Sequence, residues 1–387
     1  MSGDDTAAGG DGTDGGADTG DGGDDADGVT GLDEEAVDEE YLGRLFDEEA
    51  LAAFLEDALG PGELGVEYHQ AGHSNETLFV DWGEHELVLR RPPAGAHADA
   101  AHEVLREYRA MDALQDTAVP VPRTVAACDD HSVIGSDFYV MERLEGDVIR
   151  DEEPERFADP EQRRLLSETF IDTIAEIHTI DPAAVGLDDM GHPEGYTERQ
   201  VERWTKQLEW AFEVTAEDRP IPELHEVAEW LADNVPDDYA HTLVHGDYKL
   251  DNVMFGPGTP PDLVGVFDWE MCTRGDPSMD LGWMLISWTD PGDPEREDPL
   301  SNRIEAREGY LSRRELLDRY EAKTGLTFDN ERFYRTFGVF KSAGACEMMY
   351  RRYLEGNSSN PAYPLMEERV PAMAERALDI IEGREPL

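Results

Sequence analysis

The residues best suited to chemistry stand in one run, His245-Gly246-Asp247-Tyr248-Lys249-Leu250-Asp251-Asn252. Apolar Leu243-Val244 precede it and Val253-Met254-Phe255 follow. Pro257-Gly258-Thr259-Pro260-Pro261 then signals a turn, and a second apolar run, Leu263-Val264-Gly265-Val266-Phe267, ends in Asp268. The pattern predicts strand, loop, short strand, turn, strand, acid. It delivers Asp247, then Asn252, and Asp268 one hairpin later. Phosphoryl transfer uses such a set: one carboxylate orients a hydroxyl, and an amide plus a second carboxylate hold magnesium on the nucleotide phosphates. Asp247 is the expected base. Asn252 and Asp268 offer the oxygen ligands that hard Mg²⁺ prefers.

The elements that must position this loop fall into two groups. Residues 38–59 carry Leu42, Leu45, Phe46, Leu51, Phe54, Leu55 and Leu59 at helical spacing, which predicts one or two helices packed on the body. Residues 64–91 alternate, predicting a meander of strands. The polar turn between its first two strands, Gln70 to Glu76, contains Gly72, Ser74 and Asn75, small enough for backbone N–H groups to approach phosphates. A strong helix is predicted over 99–115, followed by strands at 124–128 and 137–144. That makes a small α+β lobe with one helix, assigned to residues 38–143. From 144 to 387 the periodicity is mostly helical, over 160–180, 195–215, 222–233, 276–288, 312–324, 330–355 and 364–383. Residues 1–37, mostly Gly, Asp, Thr and Ala, cannot bury a core and are expected to be a disordered acidic tail.

Charge excludes several partners. Of the formal net charge of −57, residues 1–40 carry −15, so −42 remains on residues 41–387. Such a field repels nucleic acid and anionic membranes. Lysine is scarce: Lys206, Lys249, Lys323 and Lys341 are the only four. This balance predicts a halophilic protein adapted to concentrated salt, where the Debye length falls to ~3 Å at 1 M. The melting temperature should therefore rise from low to molar KCl; equal or greater stability at low salt would refute the adaptation. Cys128, Cys272 and Cys346 are isolated, so neither a zinc site nor a disulfide framework is expected. No apolar run reaches ~18 residues and the N-terminus shows no charged-then-apolar leader pattern, so a cytoplasmic protein is expected.

The order of these features resembles the protein-kinase-like fold: a strand lobe with one helix, then a helical lobe carrying H-x-D-x-K-x-x-N and a hydrophobic-Asp step. The local variants, His245-Gly246-Asp247 and Phe267-Asp268-Trp269-Glu270, are similar to those of the aminoglycoside phosphotransferase and choline kinase superfamily. Further matches are Gly72-x-Ser74-Asn75, Leu87-Val88-Leu89-Arg90-Arg91-Pro92-Pro93, Arg106-Glu107-Tyr108-Arg109, Val119-Pro120-Val121-Pro122, Phe138-Tyr139-Val140-Met141-Glu142, Gly275-Asp276-Pro277 and Asp280-Leu281-Gly282-Trp283. Together they most resemble the kinase-like domain associated with acyl-CoA dehydrogenase family members, over roughly residues 60–380.

The resemblance implies a bilobal α+β enzyme using ATP and Mg²⁺ to phosphorylate a hydroxyl of a small molecule. A hydroxyacyl-CoA is the favoured acceptor; an aminoglycoside, choline or homoserine, or a silent nucleotide-binding pseudokinase, are the alternatives. It implies that Lys249 contacts the transferred phosphate, that His245 braces the loop, and that Asp280 hydrogen-bonds it from a helix. Kinases place a Lys on the third strand against a helix Glu, but no lysine precedes Lys206 here. Arg90 takes that place, with Glu107 as its partner; Arg is always charged and grips phosphate bidentately. Alternation puts Arg91 on the opposite face, where it is expected to be solvated. Met141, Glu142 and Arg143 would form the hinge that meets adenine, and Ser74 and Asn75 would approach the phosphates. Tyr196, Arg199, Gln200, Arg203 and Trp204 stand where acceptors are chosen in such enzymes.

Overall fold

A computed structural model describes residues 39–69, 75–93, 98–150, 152–294, 303–358 and 360–387. The expected N-terminal tail and Ser74 lie outside the described residues.

The alternating stretch forms an antiparallel meander of β1 (Leu64–His69), β2 (Glu76–Trp82) and β3 (His85–Arg91), with Leu64 opposite Trp82 and Val80 opposite Leu87. Helix α3 (Ala98–Leu114) leads to β4 (Thr124–Cys128) and β5 (Phe138–Glu142), completing a sheet of order β1-β2-β3-β5-β4. Because side chains alternate along a strand, the sheet has two apolar faces. Leu87, Leu89, Phe138 and Val140 pack against α1 (Glu39–Leu45), α2 (Glu48–Leu59) and the single turn α4 (His131–Ile134). Val88, Tyr139 and Met141 pack on the other side with Val104, Met111 and Leu114 of α3. With only four residues, α4 carries no period to read in the sequence.

Covering both faces changes the fate of Arg91. It is buried, only 4% exposed, and its guanidinium donates to the carbonyls of Leu45, Ile134 and Pro92. Leu45 and Ile134 end α1 and α4, where carbonyls lack helical partners and a cation is favourable. The expectation of a solvated Arg91 is therefore corrected: α1 and α2, which precede the strands in sequence, close over that face.

The large lobe holds α5 (Pro160–Thr179), α6 (Tyr196–Asp218), α7 (Pro222–Asp233), α8 (Pro277–Ser287), α9 (Arg313–Thr324), α10 (Glu331–Leu354) and α11 (Met366–Ile381). Helix α10 is buried on nearly all sides, packed by α6, α8 and α11. It approaches α8 closely because glycines face each other there. A Cβ at Gly282 would lie 2.4 Å from the Tyr334 carbonyl, and one at Gly338 3.0 Å from the Gly282 carbonyl. Two small ribbons sit beside this pair: β6 (Thr242–Val244) with β9 (Thr273–Gly275), and β7 (Val253–Phe255) with β8 (Leu263–Val266), both antiparallel. Among the described residues no helix is long and apolar enough to cross a membrane. The three cysteines are buried thiols outside any disulfide.

Candidate active site

The run from His245 to Asn252 leaves β6 and turns back through a 3-10 turn, Leu250–Asn252, into β7. Gly246 has φ +88, a left-handed conformation that favours glycine. A Cβ there would also lie 2.6 Å from the Cβ of Met271. The amides of His245 and Gly246 donate to the two carboxylate oxygens of Asp280 on α8, at 2.6 and 2.8 Å. His178 of α5 reaches the same carboxylate through Nε2 at 3.3 Å and bonds Tyr320 through Nδ1 at 2.8 Å. Burial pushes the Asp280 carboxyl upward, but His178 and the loop amides outweigh it, and the net shift is downward.

His245 itself is buried and doubly engaged. Nε2 meets the Phe267 carbonyl at 2.8 Å, and Nδ1 accepts from the Asp247 amide at 3.2 Å. One neutral tautomer satisfies both contacts, so the ring is a brace. Asp247 accepts at Oδ2 from Nδ2 of Asn252 at 2.8 Å, and the same amide nitrogen donates to the Asp247 carbonyl at 2.8 Å. That geometry leaves Oδ1 of Asn252 for another partner. Lys249 Nζ stands 3.5 Å from Asp247 Oδ2. The Phe267 amide donates to the Asn252 carbonyl at 2.9 Å, which sets Asp268 beside the loop. Asp268 has φ 65 and ψ 55, uncommon for a residue with a Cβ, and its side chain is partly exposed. Such backbone outliers concentrate at functional sites.

The small lobe meets this loop through Arg90. Its guanidinium lies 3.5 Å from Glu107 on α3 and 3.8 Å from Asp268. Burial opposes its charge, and Glu107, Tyr139 and Asp268 hold it. Arg90 Nε is buried without a partner among the described residues, a spare donor in a site of this polarity. Asn75 reaches Glu270 at 3.5 Å. Helix α3 is tied across the lobes by Arg106, which donates twice to the Cys272 carbonyl at 3.1 and 2.7 Å. At the end of β5, Met141 is buried in the sheet. The Arg143 amide donates to Glu86 at 2.9 Å and its guanidinium stacks 3.9 Å over the Phe79 ring, so these groups are engaged within the small lobe.

Beside Gly246 a narrow cleft is lined by Tyr196, Gln200, Met271, Trp283 and Lys341. Tyr196 and Gln200 of the segment singled out in the sequence reach it. Arg199 does not: its guanidinium turns back to the carbonyls of Glu194 and His192 at the start of α6. Lys341 was visible in the sequence only as one of four lysines. Its Nζ donates to the Gly246 carbonyl at 2.7 Å and stands 4.2 Å from the Trp283 ring centre. Lys249 approaches the same ring at 6.0 Å.

A five-stranded lobe and a helical lobe, with Asp247 and Asn252 on one loop and Asp268 after the following hairpin, define the kinase-like class. Comparison with known proteins narrows it. Residues 65–316 match the model of the phosphotransferase enzyme family. A crystal structure from Ralstonia eutropha, solved as a candidate aminoglycoside phosphotransferase, is 34% identical with a TM-score of 0.75, covering 87% of this chain and 99% of that one. Choline kinase from Cryptosporidium parvum shares the fold, at 10% identity and a TM-score of 0.55, covering 87% of this chain and 96% of that one. The acyl-CoA dehydrogenase family member 11 of Rattus norvegicus is 34% identical over 348 residues, 87% of this chain and 43% of the relative. The chain thus spans less than half the length of that curated relative. The chain belongs to the phosphotransferase enzyme family, whose members are small-molecule kinases.

Proposed function

We propose that the protein transfers the γ-phosphoryl group of ATP to a hydroxyl of a small molecule, with Asp247 as base and magnesium held by Asn252 and Asp268. The observation that carries this reading is the cluster itself. Asp247 accepts from the amide nitrogen of Asn252, which leaves the amide oxygen available, while the Arg90 guanidinium lies 3.5 Å from Glu107 and 3.8 Å from Asp268 with its Nε unpartnered among the described residues. A free amide oxygen and a carboxylate fit a hard cation that keeps other oxygens from phosphate and water. When bound, that ion neutralises charge on the phosphates. The spare guanidinium donor fits a phosphate oxygen. Asp247 would accept the hydroxyl proton late, since the transition state is loose, and Lys249 would contact the phosphoryl group in transit. Met141 and Arg143 would contribute to the adenine end, through the hinge carbonyls, and Ser74 and Asn75 to the phosphate end.

For the acceptor, a hydroxyacyl-CoA or a similar anionic molecule is favoured over a cationic aminoglycoside or choline. Two of the chain's four lysines, Lys249 and Lys341, converge on Trp283 beside Asp247, and Arg203 lies near enough to act on Lys341. A polycation would meet like charge there. The curated relatives named as acyl-CoA dehydrogenases point the same way. ADP release measured in molar KCl with a hydroxyacyl-CoA, kanamycin, choline and homoserine decides among these acceptors. A Mg·ATP thermal shift without ADP release to any acceptor would favour the silent nucleotide-binding pseudokinase, and no shift at all would count against the enzyme reading.

Arg90→Ala should raise the KM for ATP about 10- to 100-fold, the scale of losing a charge-assisted hydrogen bond. Arg90→Lys, which keeps the charge and loses the fork, should fall between. An unchanged ATP dependence in a folded variant would move the phosphate contact away from Arg90.

A further inference from the structure

Lys341 lies 95 residues after Gly246 in sequence, yet its ammonium is seated on the Gly246 carbonyl. The side chain is buried, 7% exposed, between the rings of Trp283 and Trp204, at 4.2 and 5.7 Å, with the Met271 sulfur at 3.9 Å. Burying an ammonium costs several kcal/mol, and a methionine would fill the same slot without that cost. The position therefore uses the charge and the donor, not the bulk alone. Both ends of the Gly246 residue are held: its N–H by Asp280 on α8, and its carbonyl by Lys341 on α10. The next residue is Asp247. Rotation of the peptide between them would carry the carboxylate away from Asn252.

We infer that Lys341 is a positioning residue for phosphoryl transfer, fixing the Gly246–Asp247 peptide so that the Asp247 carboxylate faces the acceptor hydroxyl. This rests on the kinase reading of Asp247. The close α8–α10 crossing at Gly282 and Gly338 brings Lys341 within reach of the loop, so the two glycines belong to the same device. The charged groups acting on Lys341 are Asp247 and Asp280, which favour its ammonium, and Lys249 and Arg203, which oppose it. Burial is the largest influence and lowers its pKa below the ordinary 10.5.

The test compares Lys341→Met, Lys341→Gln and, as a stability control, Val370→Ala, a buried core position in α11. Hydrogen exchange of the segment 243–252 and steady-state ADP release are both read in molar KCl. Lys341→Met should raise exchange in that segment and lower kcat tenfold or more, with the KM for ATP within about twofold. Lys341→Gln, which keeps an N–H donor, should lose less. Val370→Ala should lower melting without touching exchange at the loop or kcat. Unchanged exchange in Lys341→Met, or a kcat loss matched by Val370→Ala at equal destabilisation, overturns the inference. A wild-type protein with no phosphotransfer to any acceptor, but with loop exchange raised by Lys341→Met, overturns the kinase reading and leaves the pinning of Gly246 established.

Discussion

Asp247→Asn should cut turnover about 10²- to 10⁴-fold, the range that a positioned general base contributes, while leaving ATP binding nearly intact. The substitution keeps the shape of the side chain. Its Oδ1 can still accept from Asn252 Nδ2, so the loop should hold its conformation. What is lost is the negative charge facing Lys249 at 3.5 Å and the capacity to take a proton. Nucleotide contacts assigned to Arg90, Asn252 and Asp268 are untouched, which predicts a kcat effect with an unchanged KM for ATP. The measurement is ADP release over a series of ATP concentrations, paired with a Mg·ATP thermal shift on the same sample. Retained turnover would remove Asp247 as base. Lost turnover together with a lost thermal shift would mean that the loop had collapsed, and the assignment would then fall to the metal ligands.

How far the sequence reached depended on how local each signal was. Asp247, Asn252 and Asp268 lie within one loop and one hairpin, so strand patterning and turn residues were enough to group them. Arg90 could be separated from Arg91 by alternation, because the two faces of β3 differ by one residue of register. What lay on the second face could not be read that way. α1 and α2 are remote in sequence from Arg91, and nothing in β3 says that they fold over it. The same holds for the pairing of β6 with β9: each strand has three residues, too few for a period, and their partnership is fixed by the hairpin and Asp268 turn between them. Lys341 was the hardest to see. An amphipathic helix shows which face is polar, but α10 is buried almost all round, so a functional lysine in it interrupts no stripe. Its only sequence signal was scarcity, in a chain with four lysines.

Asp280→Ala should destabilise the fold by about 3–5 kcal/mol, the cost of removing one partner from a buried, charge-paired network, and should abolish turnover with it. One carboxylate, 2% exposed, accepts from the amides of His245 and Gly246 and faces His178. Without it, two loop N–H groups and the His178 ring lose their acceptor in a site that water cannot readily enter, and each unpaired group carries its own desolvation penalty. Asp280→Asn keeps one amide oxygen as acceptor and should lose less. The pH dependence has a definite sign. The folded-state pKa of Asp280 is depressed, so its contribution is complete above the unfolded-state value of about 4 and is lost as pH falls through the lower folded-state value. The stability gap between wild type and Asp280→Ala should therefore be constant at neutral pH and narrow only below about pH 4. Chemical denaturation at several pH values, in molar KCl, measures that gap. A gap that closes well above pH 4 would assign the stabilisation to a group other than the Asp280 carboxylate, and a gap near zero at pH 7 would mean that the loop is held by Lys341 and the His245 brace without help from α8.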